Sequence, residues 1–374
     1  MNVLSFVHLR NIYRSTGAGR VARQLTEHLA FRDRINLHVL ADAGDYGKVL
    51  PKVGSPWTVF PYHLFNEDSS RQQARWLLTH RPMAEYYWPD AQIVHCTMES
   101  FVPTRRCRLV ATVHDAAYFE QEAHPANWWR FRQRLKWRFL YTTLSRHADL
   151  FHAVSNFSAE RIARFVPSIA SRVRVVHNAA SSRFFQPVSA EGEEFLARER
   201  LSNVAFVLFP GGLSYRKNAD MVLDLWPKLR ELFPDLLLVV AGHSEPPYGA
   251  RAQTIDGIRQ IGFVDDEGLC ALYHAAQVVW FPSRYEGFGI PILEAMACGA
   301  PVVTSNCSSL PEVAGKAAIF APPDSISGHI EALEAVLRQS ALRESLNKLG
   351  RDRSRQFTWA AAAAKMDRHF AELL

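Results

Sequence analysis

The sequence has few of the features that mark secreted, fibrous or low-complexity proteins. Its 374 residues include five cysteines, an odd number, and no two of them have the C-x-x-C spacing of a zinc knuckle. Glycine and proline, with 19 and 20 residues, are too few for a collagen-like or linker-dominated chain. We therefore expect no disulfide framework, and reduced thiols in or near a core, as in a cytoplasmic protein.

Long apolar segments are also absent from the sequence. No run of 18 apolar residues occurs, so the sequence predicts no segment that crosses a membrane. The first residues, MNVLSFV, form an apolar run that is too short for the core of a signal peptide and is typical of a buried strand. These observations favour a cytoplasmic location.

Charge is distributed unevenly along the chain. The formal net charge is +6, yet residues 1–180 contain 24 basic and 14 acidic side chains, whereas residues 181–374 contain 19 and 23. The length suits two domains of ordinary size, and 48% hydrophobic residues suffice for two cores. The contrast in charge indicates two domains that bind different partners.

Short apolar runs alternate with amphipathic, helix-like stretches in both halves of the chain. Several runs, such as VAFVLF and LLLVV, are apolar throughout, which is typical of strands buried on both faces of a parallel sheet. The alternation predicts an α/β fold with two doubly wound domains that divide near residues 178–189, where the periodicity is lost. The predicted strands lie near Val3–Val7, Ile35–Leu40, Trp57–Pro61, Ile93–Cys96, Leu109–His114, Leu150–Val154, Val173–Val176, Val204–Phe209, Leu236–Ala241, Gln260–Phe263, Val278–Phe281, Pro301–Thr304 and Ala318–Phe320.

One loop of the second half concentrates groups that suit an anionic, hydroxyl-rich ligand. The segment SRYEGFG follows the predicted strand that ends at Phe281 and precedes a predicted helix. Gly287 and Gly289 let the backbone approach a ligand closely, and the helix start adds a partial positive charge that favours phosphate. Glu286 and Glu294 can accept hydrogen bonds from sugar hydroxyls. The alternative is a glycine turn with a helix-capping acid.

The stretch SRYEGFGIPILEAMACGAPVVTSNCSSLPEVAG resembles the signature of family 4 of the retaining glycosyltransferases, and the resemblance extends over most of the chain. It implies the GT-B fold, in which two Rossmann-like domains face each other and the active site lies in the cleft between them. It also implies that Glu286 contacts the donor sugar and that Glu294 binds the ribose of a nucleoside diphosphate sugar. Further donor-binding residues in this stretch would be Gly287, Phe288, Gly289 and Ile290.

Two pieces of the first domain also resemble the family. RSTGAGRVARQL supplies Gly17 and Gly19 before an amphipathic helix, where a diphosphate or an acceptor could approach; a tight turn is the alternative. His114 ends a predicted strand and matches the histidine that contacts the donor sugar in the family. Asp115 either orients that imidazole or caps the following segment. The resemblance thus implies that His114 acts with Glu286 at the reacting centre.

The second domain opens with another strand-to-helix loop, FPGGLSYRKNAD. Arg216 and Lys217 in this loop could neutralise a leaving diphosphate, or they could be an exposed basic pair. Many relatives have an arginine where this sequence has Gly212, so the diphosphate contact of that arginine is missing here. Arg216, beside the matching Lys217, is then the residue expected to supply that charge.

The resemblance also covers the rest of the second domain and the C-terminus. Backbone groups at Phe263 and Val264 are expected to contact the base, and the adjacent Asp265 is expected to cap a helix and not to bind a metal. The final segment, FTWAAAAAKMDRHFAELL, resembles the helix that returns to the first domain in GT-B enzymes. The predicted domains are residues 1–180 with 357–374, which bind the acceptor, and residues 181–356, which bind the donor.

A stretch from residue 124 to residue 147 is both basic and aromatic. Such a helix can lie on an anionic membrane surface, or bind an anionic acceptor such as a lipid-linked diphosphate sugar. A solvated face over an ordinary core helix and a single-stranded nucleic acid partner are the alternatives, and we expect no nucleic acid. On a helix, one face would carry Arg130, Arg134 and Arg138, and the adjacent face Phe131, Leu135 and Phe139.

Together these features predict a retaining, metal-independent hexosyltransferase whose co-substrate is a nucleotide sugar and which has no cofactor. The resemblance favours transfer of mannose from GDP-mannose to a lipid-linked or lipopolysaccharide-type glycan, by a peripheral protein at the inner face of the cytoplasmic membrane. A UDP- or dTDP-sugar as donor and a sugar-nucleotide 2-epimerase are the alternatives within the fold. A non-catalytic protein that binds a nucleotide sugar is the alternative from another class.

Overall fold

The computed structural model describes residues 1–13, 17–124 and 128–374, except for the side chains of residues 129 and 130. The chain forms two compact units. The first contains Met1–Phe119, a segment that ends at Asn178, and Thr358–Leu374. The second contains Ala179–Phe357 and a short segment that begins at Glu120. The division after Asn178 lies two residues before the predicted domain limit.

A parallel sheet forms the centre of the first unit. Its strands are β1 (Asn2–Phe6), β2 (Asn36–Asp42), β3 (Tyr62–Phe65), β4 (Ile93–Cys96), β5 (Arg108–Val113), β6 (Leu150–Ala153) and β7 (Val173–Val175). They lie in the order β3-β2-β1-β4-β5-β6-β7, and each neighbouring pair is parallel. Because all strands run in one direction, the loops that follow them meet at one edge of the sheet.

Helices connect the strands of the first unit. They are α1 (Leu9–Tyr13), α2 (Gly17–Ala30), α3 (Ala43–Val53), α4 (Ser69–Thr79), α5 (Ala84–Tyr87), α6 (Trp128–His147) and α7 (Asn156–Phe165). Single turns of 3-10 helix lie at Trp57–Val59 and Ala117–Phe119, and a longer one at Pro167–Arg172. The apolar strand residues pack against Trp76, Phe101, Phe151 and their neighbours to form the core of this unit.

The second unit has its own parallel sheet. Its strands are β8 (Phe206–Pro210), β9 (Leu237–Ala241), β10 (Ile258–Gly262), β11 (Val278–Phe281), β12 (Val302–Ser305) and β13 (Ile319–Ala321). They lie in the order β10-β9-β8-β11-β12-β13. Most of their residues are buried, as the continuous apolar runs predict for strands covered on both faces. Trp226 and Trp280 fill the core on one face of this sheet.

The helices of the second unit position its loops. They are α8 (Ala190–Arg198), α9 (Ala219–Leu232), α10 (Tyr248–Gln253), α11 (Asp266–Ala275), α12 (Ile290–Cys298), α13 (Leu310–Ala314), α14 (Ile326–Arg338) and α15 (Ser340–Ser354), with a 3-10 turn at Ser182–Phe185. Side-chain caps begin several of them: Ser189 accepts a hydrogen bond from the Gly192 amide, and Asp265 accepts one from the Gly268 amide.

The last helix, α16 (Trp359–Ala371), belongs to the first unit although it follows α15 in the chain. It packs against α2. The buried carboxylate of Asp367 on α16 accepts hydrogen bonds from Arg32 at 3.1 Å and Arg34 at 3.0 Å. These contacts attach the end of the chain to its beginning.

Two sequence predictions of local structure were wrong. The strand expected over Trp57–Pro61 is a 3-10 turn followed by β3, because Trp57 turns inward and donates to Glu27 at 2.7 Å. The helical periodicity of the sequence over His329–Leu349 predicts one helix, whereas the structure has two, α14 and α15. Gln339 between them has an extended backbone, and Arg343 donates to the Val336 and Leu337 carbonyl oxygens that end α14.

Among the described helices, none is both long and apolar enough to cross a membrane.

Candidate active site

Three loops of the second unit meet at the carboxyl edge of its sheet. They follow β8, β11 and β12, which are adjacent and parallel. The loop after β8 carries Arg216 and Lys217, and the loop after β11 carries Glu286. Ligands of open α/β sheets bind at this edge. The structure therefore brings the loops of Arg216, Lys217 and Glu286 to the edge where the fold favours a ligand.

The carboxylate of Glu286 is held by a group on its own loop. Ser283 Oγ donates to Glu286 Oε1 at 3.0 Å. The loop after β12 holds the Glu286 backbone, because its amide donates to Ser308 Oγ at 3.1 Å and its carbonyl accepts from Ser309 Oγ at 2.9 Å. Glu286 is thus fixed both by its side chain and by its main chain.

Lys217 forms an ion pair with this carboxylate. Its Nζ lies 3.7 Å from Glu286 Oε1, and the two side chains are only 12% and 10% exposed. The same Nζ lies 4.4 Å from the centre of the Phe281 ring. Burial lowers the pKa of Lys217, an effect that the charge of Glu286 partly offsets. The two residues therefore form an ion pair with little solvent exposure, and an incoming anion can also bind the lysine.

The backbone around Lys217 is tied to the loop after β11. Asn218 caps α9 in the left-handed conformation, and its Nδ2 donates to the Pro282 carbonyl at 3.1 Å. The Arg216 carbonyl accepts from the Arg284 amide at 2.9 Å. The Arg284 guanidinium stacks over the Tyr215 ring at 4.6 Å. These contacts place Arg216 and Lys217 in one rigid turn.

The glycines of this loop explain the departure from the family pattern at position 212. Gly212 has a φ of +73°, and a Cβ atom there would lie 2.0 Å from the His243 carbonyl oxygen. Gly242, just after β9, packs against the same turn, with its own φ at +112°. No side chain fits at Gly212 in this backbone, so an arginine at that position is excluded by geometry.

Glu294 lies on α12 and is almost completely buried. Tyr273, on α11, donates its hydroxyl to Glu294 Oε2 at 3.1 Å. A buried carboxylate held by a tyrosine hydroxyl presents a defined acceptor geometry, as recognition of a diol requires. The sequence predicted the role of Glu294 but not the tyrosine that orients it.

A glycine and a proline mark the start of α12. Gly289 caps the helix with a φ of +100°, a conformation that favours glycine, and Pro291 occupies the first turn. Ser309 Oγ also lies 2.9 Å from the Phe288 carbonyl. The Phe288 side chain is buried against Phe357, so any donor contact by this residue is made by its backbone.

The predicted base-binding segment follows β10. Phe263 is 69% exposed, whereas Val264 is buried. Asp265 caps α11 through the Gly268 amide at 2.9 Å, as predicted. The ring of Phe263 is therefore accessible to a ligand.

In the first unit, His114 follows the end of β5. Its Nε2 lies 3.1 Å from the Thr97 carbonyl oxygen, to which it donates. Its backbone amide donates to Glu99 Oε1 at 2.5 Å. Asp115 accepts from the Ala117 amide at 2.9 Å and thus caps the next 3-10 turn. The capping alternative for Asp115 is confirmed.

Glu99 is a charged neighbour of His114 that the sequence analysis missed. Burial raises the pKa of its carboxyl group, and the charge of His114 opposes that shift. Its indication in the sequence is an acidic residue three positions after the end of the buried strand β4. Ser308 and Ser309 were missed as well, since a serine in a loop carries little information by itself.

The remaining predicted residues of the first unit lie on two helices. Gly17 begins α2 and Gly19 lies in its first turn, while the residues just before Gly17 lie outside the described part of the chain. Arg134 and Arg138 lie on α6 and are exposed. The side chain of Arg130 lies outside the described residues. A separate cavity of about 1300 Å³ follows β3, and none of its described lining residues is a predicted site residue.

Comparison with known proteins assigns the family. Residues 15–182 match the description Glycosyltransferase Family 4, and residues 193–353 match Glycosyl transferases group 1. The chain is 32% identical to O-antigen chain mannosyltransferase B of Escherichia coli, over 93% of each chain.

The chain belongs to the family 4 glycosyltransferases. The resemblance carried by the EGFG and EAMACG motifs is therefore confirmed. The glycosyltransferase is also 30% identical to an MMP alpha-(1->4)-mannosyltransferase of Mycolicibacterium hassiacum, over 69% of this chain and 63% of that protein.

Solved structures confirm the predicted GT-B fold of this glycosyltransferase. Sucrose-phosphate synthase of Thermosynechococcus elongatus superposes with a TM-score of 0.76 at 21% identity, over 100% of this chain and 99% of that chain. Anabaena HepE, in complex with UDP and glucose, gives 0.74 at 17% identity over 99% of both chains. WaaG, a glycosyltransferase involved in lipopolysaccharide biosynthesis, gives 0.72 at 17% identity over 98% of both chains.

Proposed function

We propose that this glycosyltransferase moves mannose from GDP-mannose, with retention of anomeric configuration, to a lipid-linked or lipopolysaccharide-type glycan. The choice of mannose is supported by the similarity to an O-antigen chain mannosyltransferase over nearly the whole chain. The structural observation that carries the proposal is the nearly buried pair of Lys217 and Glu286 at 3.7 Å. The pair places a cation that can bind the diphosphate beside a carboxylate that can accept hydrogen bonds from the sugar.

Lys217 and Glu286 have complementary roles in this proposal. Lys217 contacts the diphosphate, because burial disfavours its charge and an incoming anion restores the preference for the charged form. Glu286, held by Ser283, accepts hydrogen bonds from sugar hydroxyls near the reacting carbon. His114 of the first unit contacts the same sugar. Arg216 and the start of α12 add positive charge, so the reaction requires no divalent cation.

The resemblance to the retaining family 4 enzymes implies the transfer step that we propose. The bond between C1 of the sugar and the oxygen of the β-phosphate breaks, and the diphosphate leaves with the electron pair. The acceptor hydroxyl oxygen forms the new bond to C1 on the same face, which retains the configuration. The leaving phosphate oxygen takes the acceptor proton. Positive charge at Lys217 and Arg216 stabilises the developing anion.

Glu294 binds the nucleotide in this proposal. Its carboxylate, oriented by Tyr273, accepts hydrogen bonds from the two ribose hydroxyls. We expect Glu294→Gln to weaken nucleoside diphosphate binding at least tenfold while the fold is retained. An unchanged dissociation constant would remove Glu294 from the nucleotide site.

A transfer assay tests the function itself. The purified chain is incubated with GDP-mannose and a lipid-linked oligosaccharide fraction, GDP release is followed, and the anomer of the product is read by NMR. The proposal predicts an α-mannoside from the α-linked donor. Transfer from UDP- or dTDP-sugars but not from GDP-mannose would overturn the choice of donor. A β-linked product would overturn retention.

We further propose that α6 docks on an anionic membrane surface. Its inner face, with Leu140, Tyr141 and Leu144, is buried in the core of the first unit. Its outer face exposes a stripe of apolar side chains, at 50% for Phe131, 52% for Leu135 and 50% for Phe139. Basic side chains flank the stripe: Arg132, Arg134, Lys136 and Arg138 are exposed.

The combination favours a membrane as the partner. Apolar side chains at an i, i+4, i+8 spacing insert into the interface between headgroups and acyl chains, and each flanking cation adds about 1 kcal/mol on an anionic surface. A lipid-linked acceptor would bring the enzyme to the same surface. Docking by α6 therefore fits the proposed substrate.

Vesicle sedimentation tests the docking surface. We expect binding to vesicles with phosphatidylglycerol, reduced at least tenfold by Phe131→Ser with Leu135→Ser. The control is Leu78→Ser on α4, since Leu78 is an exposed leucine of the same unit outside the stripe. Equal binding of all three proteins, or none to anionic vesicles, would overturn the docking proposal.

A further inference from the structure

Three side chains of types that bind metals meet inside the second unit. Cys270 and His274 lie four residues apart on α11, and Cys298 is the last residue of α12. Cys270 Sγ lies 3.8 Å from Cys298 Sγ and 3.6 Å from His274 Nδ1. All three donor atoms lie within 4.8 Å of one another. The proposed transfer reaction uses none of them.

These separations match a tetrahedral zinc centre. Zinc lies about 2.3 Å from cysteine sulfur and about 2.0–2.1 Å from histidine nitrogen, and tetrahedral angles then give about 3.8 Å between sulfurs and about 3.6 Å between sulfur and nitrogen. Two of the three distances here are 3.8 Å and 3.6 Å, and the third, between Cys298 Sγ and the His274 nitrogen, is within 4.8 Å. A cation can therefore enter once Cys298 and His274 approach each other by about 1 Å at most.

The charge of the cluster also suits a divalent cation. Both thiols are buried, Cys270 completely and Cys298 at 2% exposure. Two buried thiolates are costly without a counter-charge, and one Zn²⁺ balances both. Two cations lie near the cluster. Arg351 donates to the Cys298 carbonyl at 3.1 Å, and Arg183 has its charge balanced by Glu267, whose Oε1 lies 2.6 Å from its Nε. The repulsion that Arg183 exerts on a metal is reduced accordingly.

A disulfide between the two cysteines explains less of the arrangement. It would use two of the three side chains, require an oxidant, and bring the sulfur atoms from 3.8 Å to about 2.05 Å. It would not use the imidazole, whose Nδ1 lies 3.6 Å from Cys270 Sγ and donates to the Cys270 carbonyl at 2.9 Å. A metal ion would use all three side chains.

We propose that Cys270, His274 and Cys298 bind one Zn²⁺ ion per chain, with water or another oxygen ligand in the fourth position. His274 Nδ1 now donates to the Cys270 carbonyl at 2.9 Å. On metal binding that proton moves to Nε2, and Nδ1 becomes the ligand. Each thiol releases its proton to solvent.

The site would connect the two helices that orient Glu294. Tyr273, which contacts Glu294, is the residue before His274, and Cys298 lies one turn after Glu294 on α12. Phe184, in the 3-10 turn, places its carbonyl 3.4 Å from Cys298 Sγ. A bound metal would hold α11, α12 and this turn together. Its role is thus structural, separate from the transfer chemistry.

Metal content and cobalt spectroscopy test the site on the full chain, purified without a histidine tag. We expect one equivalent of zinc per chain by elemental mass spectrometry. We also expect that Co²⁺ added to the zinc-free protein shows the sulfur-to-cobalt and tetrahedral d–d bands of a two-sulfur site. Cys298→Ser should raise the Co²⁺ dissociation constant more than about 100-fold. Removing a residue that only hydrogen-bonds a metal ligand already lowers metal affinity about 10- to 100-fold.

Two further variants make the result specific. His274→Gln should also abolish the tetrahedral spectrum. Cys107→Ser should preserve it, because Cys107 is a buried thiol of the first unit that donates to the Ala91 carbonyl. Absence of cobalt bands in the wild-type chain would overturn the proposal, whether or not the variants fold. A metal-free chain whose intact mass shows a Cys270–Cys298 disulfide would also overturn it. So would a loss of cobalt binding in Cys107→Ser equal to that in Cys298→Ser.

Discussion

Two residues of opposite charge lie 3.7 Å apart in the second unit with little access to solvent. Truncating either member of such a pair leaves the other charge uncompensated, whereas an anionic ligand can bind between the cation and the loop amides. Ser283 and the loop after β12 hold Glu286 before any ligand arrives. Such preorganisation is expected where charge develops in a transition state.

Replacing Glu286 tests this arrangement at the residue scale. Glu286→Gln keeps the shape of the side chain but removes its charge, and we expect turnover to fall about 100-fold or more, as for other preorganised groups. The control is Glu344→Gln, which removes an exposed carboxylate on α15. Steady-state GDP release measures both. Turnover within twofold of wild type for Glu286→Gln would contradict the role of Glu286.

Gly212 gives a second prediction at this scale. In Gly212→Ala the new Cβ would lie 2.0 Å from the His243 carbonyl oxygen, so the turn must move or the chain must unfold. We expect a loss of at least about 2 kcal/mol in the free energy of unfolding. Gly47→Ala, inside α3 with open space at its Cβ, should be neutral or stabilising. Equal denaturant midpoints would contradict the steric account.

The site could be predicted from the sequence where its residues are contiguous. The EGFG loop and Glu294 lie within nine residues, and glycine and proline mark the limits of α12. Tyr273, Ser308 and Glu99 could not be predicted, because each reaches its partner only through the packing of separate elements. Position 212 needed the structure too, since the obstacle there is the His243 backbone carbonyl in the loop after β9.

At the scale of elements, α16 is held to the first unit by a buried carboxylate. Asp367 is 1% exposed and pairs with Arg32 and Arg34. Asp367→Asn leaves two guanidinium groups facing a neutral amide, and we expect a loss of about 2 kcal/mol in stability. The control is Asp352→Asn, whose exposed pair with Arg355 should contribute less than about 0.5 kcal/mol. Urea unfolding curves measure both, and equal shifts would contradict this anchoring.

Element boundaries show what periodicity can and cannot predict. The continuous apolar runs located most strands, such as β11, where the predicted limits are those observed. Periodicity failed at Trp57, whose bulk is accommodated in a buried 3-10 turn, and at Gln339, where the helical pattern continues although the backbone does not. In both places tertiary packing overrides the local pattern.

At the scale of the whole molecule, buried histidines predict a loss of stability in acid. Burial lowers the pKa of His8 to about 4, of His95 to about 3 and of His329 to about 4. The unfolded chain binds these protons near pH 6.5, so stability falls as the pH drops from 6.5 toward 4. Glu99, whose pKa is raised, opposes this trend.

We expect the free energy of unfolding to fall by at least about 2 kcal/mol between pH 6.5 and pH 4.5, with a smaller fall in His95→Gln. His243→Gln, which changes an exposed histidine, should leave the slope as it is. Denaturant curves at several pH values measure the slope. A flat profile, or a slope that His95→Gln does not change, would contradict the account.

In the proposed function, the second unit binds a GDP-sugar without a divalent cation. The purified chain can be titrated calorimetrically with GDP, UDP and dTDP, each with Mg²⁺ added or omitted. We expect GDP to bind at least tenfold more tightly than UDP or dTDP, with an affinity that Mg²⁺ leaves unchanged and that Glu294→Gln lowers. Tighter binding of UDP or dTDP, or GDP binding that requires Mg²⁺, would contradict this proposal.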